Sequence, residues 1–349
     1  MRLMAAAVFG LTTVFATPSG GGNRVVQLQC EVVIAPTDSS FGRIGFVAPG
    51  PGGRLAWTDG PGQFLLRDAA GRIRTVGRTG SGPGEFSLFG SMEWLGDTLW
   101  VGDIRLARVQ MFSDTGALIR VMTAITPGQW GARPSGRLVG PGRQLAQMIL
   151  PWTVLSHQPG STNVDTLAVF PLVPADRVDL PAGGRMISLP QPLSPETQFG
   201  ASQDYARFCA ARPAEPDAID LKCVDDHGSV LLDRRVQVSP RPVTSAIYDS
   251  AIAAYRRGPV AESDLRSRIS RPRYLPPVTQ VMMQKDGGIW LRRSHRAEPS
   301  SVWLRLNADG SRRDEISIPA TYRIQRVDVD WFWAVTADDD GMETLHRCR

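Results

Sequence analysis

Chemistry needs particular residue types within reach of one another, and this chain offers few such places. Its four histidines, His157, His227, His295 and His346, form no H-E-x-x-H pair and share no helical spacing. His346-Arg347-Cys348 supplies two metal donors, but a closed tetrahedral site needs two more that the neighbouring sequence lacks. Asp338-Asp339-Asp340-Gly341 is rich in carboxylates, yet it has neither the alternating ligand positions nor the distal bidentate acid of a calcium loop. It reads more simply as an Asp-Gly hairpin turn between two apolar strands. The glycine-rich stretch Gly77 to Gly84 would cradle a phosphate only if a helix N-terminus followed it to aim N–H groups at the anion. Phe86-Ser87-Leu88-Phe89 and a strand follow instead, so the reading is a tight turn in which Glu85 satisfies loop amides. No G-x-S-x-G elbow occurs. Cys30, Cys209, Cys223 and Cys348 contain no C-x-x-C pair, which disfavours zinc ribbons and thioredoxin-like redox sites. No catalytic residue, metal ligand or cofactor is assigned.

Binding candidates are also sparse. Trp130 and Trp152 stand beside Gly and Pro in expected loops and are candidate ligand contacts. The other tryptophans considered, Trp57, Trp100, Trp290, Trp303, Trp331 and Trp333, fall in strand-like segments and are expected to pack. Arg292, Arg293, His295 and Arg296 form the densest basic cluster, a solvated loop that could face an anionic partner. A net charge of +5 spread over 349 residues is too dilute to predict nucleic-acid binding.

The elements that would position these residues are short strands. Gly 35 and Pro 27 are dispersed along the chain, which demands many turns rather than one disordered tail. Arg2 precedes an apolar run, Leu3 to Ala16, with Val14 and Ala16 at the small-residue positions of a cleavage site. At ~14 residues this run falls short of the ~20 needed to span a bilayer. Residues 1–16 are therefore expected to be a signal peptide, 17–23 a linker and 24–349 a single exported domain, secreted or periplasmic, monomeric and without a membrane span. Gly53-Arg54-Leu55-Ala56-Trp57-Thr58-Asp59 aligns with Asp97-Thr98-Leu99-Trp100-Val101-Gly102-Asp103, an offset of 44 residues between Leu55 and Leu99. Looser copies begin at Gly288 and Trp331. A strand-built period of ~40–50 residues is the mark of propeller blades. Helix formers with apolar spacing occur only at 244–270, the expected helical insertion.

Gly77 to Phe86, containing Gly82-Pro83-Gly84-Glu85-Phe86, resembles the start of an NHL repeat, and Leu99 to Asp103 with Arg108 to Gly116 is similar to the rest. The resemblance is specific over this one repeat and holds elsewhere only in outline, as in six-bladed propellers of exported bacterial proteins. It implies an all-β six-bladed β-propeller with blades near 41–86, 87–130, 131–182, 183–240, 275–318 and 319–349. The last of these is a strand short. Val25 to Ile34 can supply the missing strand and close the ring, which would bring Cys30 beside Cys348. Cys209 and Cys223 flank a turn-rich stretch and are expected to pair across a hairpin. The function implied by analogy is a binding or scaffolding module for a protein, peptide or glycan. The alternative is a metal-dependent hydrolase or lactonase with carboxylate ligands in the central channel. Three or more acidic or amide side chains converging there would favour the enzyme, and an empty or hydrophobic channel the binder.

Overall fold

The structure, a computed structural model, describes residues 28–38, 42–124, 128–142, 152–182, 184–255, 260–293, 295 and 298–349. The expected leader and linker, and Arg296 of the basic cluster, lie outside these residues. Six four-stranded antiparallel sheets make up the ring. Blade 1 runs Ile44–Pro49, Leu55–Asp59, Phe64–Arg67 and Ile73–Val76, from the innermost strand outward. Blade 2 begins with Phe89–Leu95 and blade 3 with Gly131–Ala132. Blade 4 begins with Gln198–Ala201 and blade 5 with Gln280–Met283. Blade 6 runs Arg323–Val327, Phe332–Ala337 and Glu343–Cys348, and its outermost strand is the N-terminal Cys30–Ile34. The protein is a six-bladed β-propeller closed by its first strand, as the resemblance implied.

Closure is locked two ways. Gln29 and Arg349 exchange backbone hydrogen bonds at 3.1 and 3.0 Å. Cys30 stands opposite Cys348 in the ladder and is joined to it by a disulfide that spans 318 residues of sequence. The second disulfide, Cys209–Cys223, links opposed residues of neighbouring strands in blade 4. The apolar cores lie between blades. Phe64, Phe86 and Phe112 pack edge-on where blades 1 and 2 meet. Trp290, Trp303 and Phe332 do the same between blades 5 and 6. Trp57, Trp100 and Trp333 are likewise buried, as expected of packing residues. Trp331 differs from expectation in one respect. It precedes its strand, and its ring is covered by the Arg347 and Arg349 guanidiniums. The motif at 77–86 is an inter-blade turn. Phe86 is buried in the core, and Glu85 accepts a hydrogen bond from the Gly82 amide at 2.7 Å and another from Arg78 at 2.7 Å. The Gly82 amide first and Arg78 second hold the Glu85 carboxyl below its usual range.

One stretch departs from the expected blade boundaries. Blade 3 ends at Phe170 and blade 4 starts at Gln198, so part of what reads as blades near 131–182 and 183–240 belongs to neither. Arg177–Ala182 and Arg185–Pro190 form a separate two-stranded hairpin. Its alternation is that of a blade strand, but Pro171, Pro174, Pro190, Pro192 and Pro195 bracket it, and proline cannot donate to a ladder. Helices α1 (Ser245–Tyr255) and α2 (Glu262–Arg268) lie in the expected insertion. Val178 and Leu180 of the hairpin bury themselves against Ile252, Leu265 and Ile269, so the two insertions make one cap.

Candidate functional site

The innermost strands of all six blades enclose a cavity of about 360 Å³ on the propeller axis. Its polar wall is made of glutamines: Gln129, Gln203, Gln280 and Gln325, with Ser91 and Ser202 between them. Its apolar wall is Phe46, Met92, Phe199 and Met282. Phe46 is 36% exposed and marks the open rim. No residue of this lining is acidic or basic. Four amides therefore line the channel, the number the enzyme reading asked for, and no carboxylate is among them. Among the described residues no group of three His, Cys, Asp or Glu side chains is placed to hold a metal ion. The Gln203 Oε1 is buried and accepts no hydrogen bond.

Further along the same strands the axis is filled by charge. Glu93 of blade 2 is fully buried and receives Arg326 Nη1 of blade 6 at 2.5 Å. Its other oxygen takes the Trp94 amide at 2.8 Å and lies 3.2 Å from Nζ of Lys285, which follows the inner strand of blade 5. Blades 2 and 5 are opposite one another in a ring of six, so this pair crosses the whole axis. Arg326 also bonds Asp328 at 3.0 Å, and Asp328 accepts the Trp333 indole N–H at 3.0 Å. Burial disfavours the Arg326 charge, but Glu93 and then Asp328 outweigh it and hold its pKa above the ordinary guanidinium value. Glu93 and Arg326 thus occupy the axis next to the pocket, with the partly exposed Lys285 beside them.

A smaller recess of about 100 Å³ lies beside this pocket between blades 3 and 4, and the two share Gln129, Phe199, Gly200, Ala201 and Tyr205 in their walls. Trp152 stacks on Phe199 with centroids 4.2 Å apart and planes at 23°, and Phe170 meets Phe199 edge-on. Tyr205 completes the wall from an unusual backbone, φ 56°, a left-handed conformation that costs a bulky residue ~1–3 kcal/mol. It is held there by Trp100 and Phe208, both edge-on, and by a hydrogen bond with Ser91. Gly131 allows this close approach, since a Cβ there would stand 2.7 Å from the Tyr205 ring. Burial pushes the Tyr205 phenol far above its usual range, against a smaller opposite pull from Ser91, so the ring stays neutral.

A groove of about 600 Å³ runs between α1, the segment 190–198 and blade 5, and meets the channel pocket at Gln280. Arg292 and His295 line this groove. Arg293 does not share the solvated loop expected for the cluster. It is 4% exposed, ion-paired with Glu315 at 2.9 Å and bonded to the Ser239 carbonyl, because side chains alternate along an extended strand. Burial lowers its pKa despite the opposing pull of Glu315. Trp130 is also packed rather than presented, being 2% exposed in the core between blades 2 and 3. Of the sequence candidates, Trp152, Arg292 and His295 therefore line cavities, whereas Trp130 and Arg293 do not. The glutamines and the Glu93 cluster carry no local signal in the sequence.

No protein-family model and no curated relative matches the chain. Solved structures do resemble it. A putative exported protein from Bacteroides fragilis is 10% identical with a TM-score of 0.52, over 92% of this chain and 95% of that one. A member of the DUF4221 family from Bacteroides vulgatus is 11% identical with a TM-score of 0.48, over 93% and 96%. A streptogramin B lyase is 9% identical with a TM-score of 0.45, over 92% and 97%. At these identities the likeness concerns the fold. No helix among the described residues is long and apolar enough to cross a membrane.

Proposed function

We propose that this propeller is an extracytoplasmic binding module, which takes a protein, peptide or glycan ligand at the open mouth of its channel and leaves it chemically unchanged. One observation carries the reading: the pocket is built from amides, hydroxyls and apolar side chains, and the charges on the axis are spent on one another behind it. Such a lining positions and desolvates a ligand. It offers no general base, nucleophile or set of metal donors within the pocket, and a metal-dependent hydrolase would need the last of these. The two disulfides support an oxidising compartment.

The test is affinity capture from the exported fraction of producing cells, using the native chain and a Gln325→Trp variant that obstructs the channel. The chain itself should be recovered from that fraction without residues 1–16. A partner should be retained by the native chain, lost by the variant, and recovered with unaltered mass. Equal retention by both chains, or a ligand returned cleaved, would overturn the proposal.

A further inference from the structure

We infer that the channel pocket and its side recess together take an uncharged extended peptide segment, with one aliphatic side chain seated in the recess; this rests on the channel-binding reading above. The recess fixes the anchor. Trp152, Phe170, Phe199 and Phe208 make its wall mainly apolar, with Gln129 and Thr153 supplying polar atoms. At about 100 Å³ it is smaller than the ~150 Å³ apolar cavity that accommodates a benzene ring. A pyranose ring with its hydroxyls is larger than benzene, and burying those hydroxyls against aromatic walls would leave them unpaired. The aromatic face that a sugar would stack on is, for Trp152, already covered by Phe199. A branched aliphatic group fits both the volume and the polarity.

The main pocket fixes what surrounds the anchor. Its size, about 360 Å³, lies within the ~300–1,000 Å³ range of small-ligand sites. Each glutamine amide offers both a donor and an acceptor, as does each peptide unit. The four glutamines can therefore pair with successive backbone groups of an extended chain. A charged residue at the anchor or beside it would enter a wall without a counter-charge, since the buried Glu93 and Arg326 nearby are already paired.

The experiment uses the full chain with both disulfides formed, presented to a phage-displayed random heptapeptide library and, in parallel, to a printed glycan array. Thr153→Phe fills the recess from a half-buried wall position, and Gln203→Leu replaces one amide of the pocket wall. Enriched peptides should share a valine, leucine or isoleucine flanked by uncharged residues. Their affinity should fall at least tenfold on Thr153→Phe and severalfold on Gln203→Leu, with circular dichroism unchanged. Equal affinity for Thr153→Phe, enrichment centred on a charged residue, or no enrichment would overturn the inference. Glycans retained instead, and lost on Gln325→Trp, would overturn the peptide assignment while leaving the channel-binding function standing. Retention of either class that no channel substitution alters would remove both.

Discussion

Replacing Cys30 and Cys348 with alanine removes a crosslink spanning 318 residues, whereas replacing Cys209 and Cys223 removes one spanning 14. In the chain-entropy model the cost grows with the logarithm of loop length, which gives ~5.7 kcal/mol for the first pair and ~3.0 kcal/mol for the second as upper values. At ~2.1 cal/mol/K per residue, unfolding a chain of this length changes entropy by ~0.7 kcal/mol/K, so the expected losses in Tm are ~8 °C and ~4 °C. The folded ring should survive in both variants. Gln29 and Arg349 keep their backbone bonds, Glu31 stays 2.9 Å from Arg347, and Ile34 remains buried in the core between blades 6 and 1. Urea denaturation of the two double-alanine proteins, followed by far-ultraviolet circular dichroism, compares them directly. The reasoning fails if the Cys209/Cys223 variant loses as much stability as the Cys30/Cys348 variant. It also fails if hydrogen exchange shows residues 30–34 detached while the ring is otherwise folded, because the disulfide would then be acting on the native state.

Two further perturbations probe the axis and the seam. Glu93→Gln leaves the Arg326 guanidinium buried with half of its counter-charge, and should cost about 3 kcal/mol in urea denaturation; Glu93→Met combined with Arg326→Met should recover more than half of that loss. Burial lowers the pKa of His346, so the native state binds fewer protons than the unfolded chain once pH falls below ~6.5. Stability from this group is present at neutral pH and lost as pH falls, with a slope of at most ~1.4 kcal/mol per pH unit. The decline in urea midpoint between pH 7.5 and 5.5 should shrink in His346→Gln, and an unchanged decline would assign the pH dependence elsewhere.

What the sequence made legible follows the range of the physics involved. Strand alternation, Asp-Gly turns and the 44-residue offset between Leu55 and Leu99 are local or nearly so, and they pointed to propeller blades, while the ring of six and its closing strand followed from the resemblance of residues 77–116 to an NHL repeat. The disulfides were legible because, once the ring is granted, each cysteine has one strand partner within reach. The hairpin at 177–190 was misplaced because Val178 and Leu180 alternate as blade residues do, and only the flanking prolines separate them from the ring. Arg293 and Trp130 were misjudged for a related reason. A basic cluster and a tryptophan beside glycine suggest exposure, but a residue's facing is decided by strand register and by which blade packs against it.

The channel itself lay beyond local reading. Glu93 and Arg326 are 233 residues apart, and each stands in an ordinary inner-strand segment. Gln129, Gln203, Gln280 and Gln325 come from four different blades, and a lone glutamine in a strand is uninformative until the ring places it on the axis. A propeller assembles its site by summing one or two residues from every blade around a common axis, so chemistry spread in this way leaves no spacing to find. The same geometry explains why the two ends differ. Charges that meet across the axis satisfy one another, while the neighbouring cavity is lined by amides, hydroxyls and apolar side chains and by no charged group.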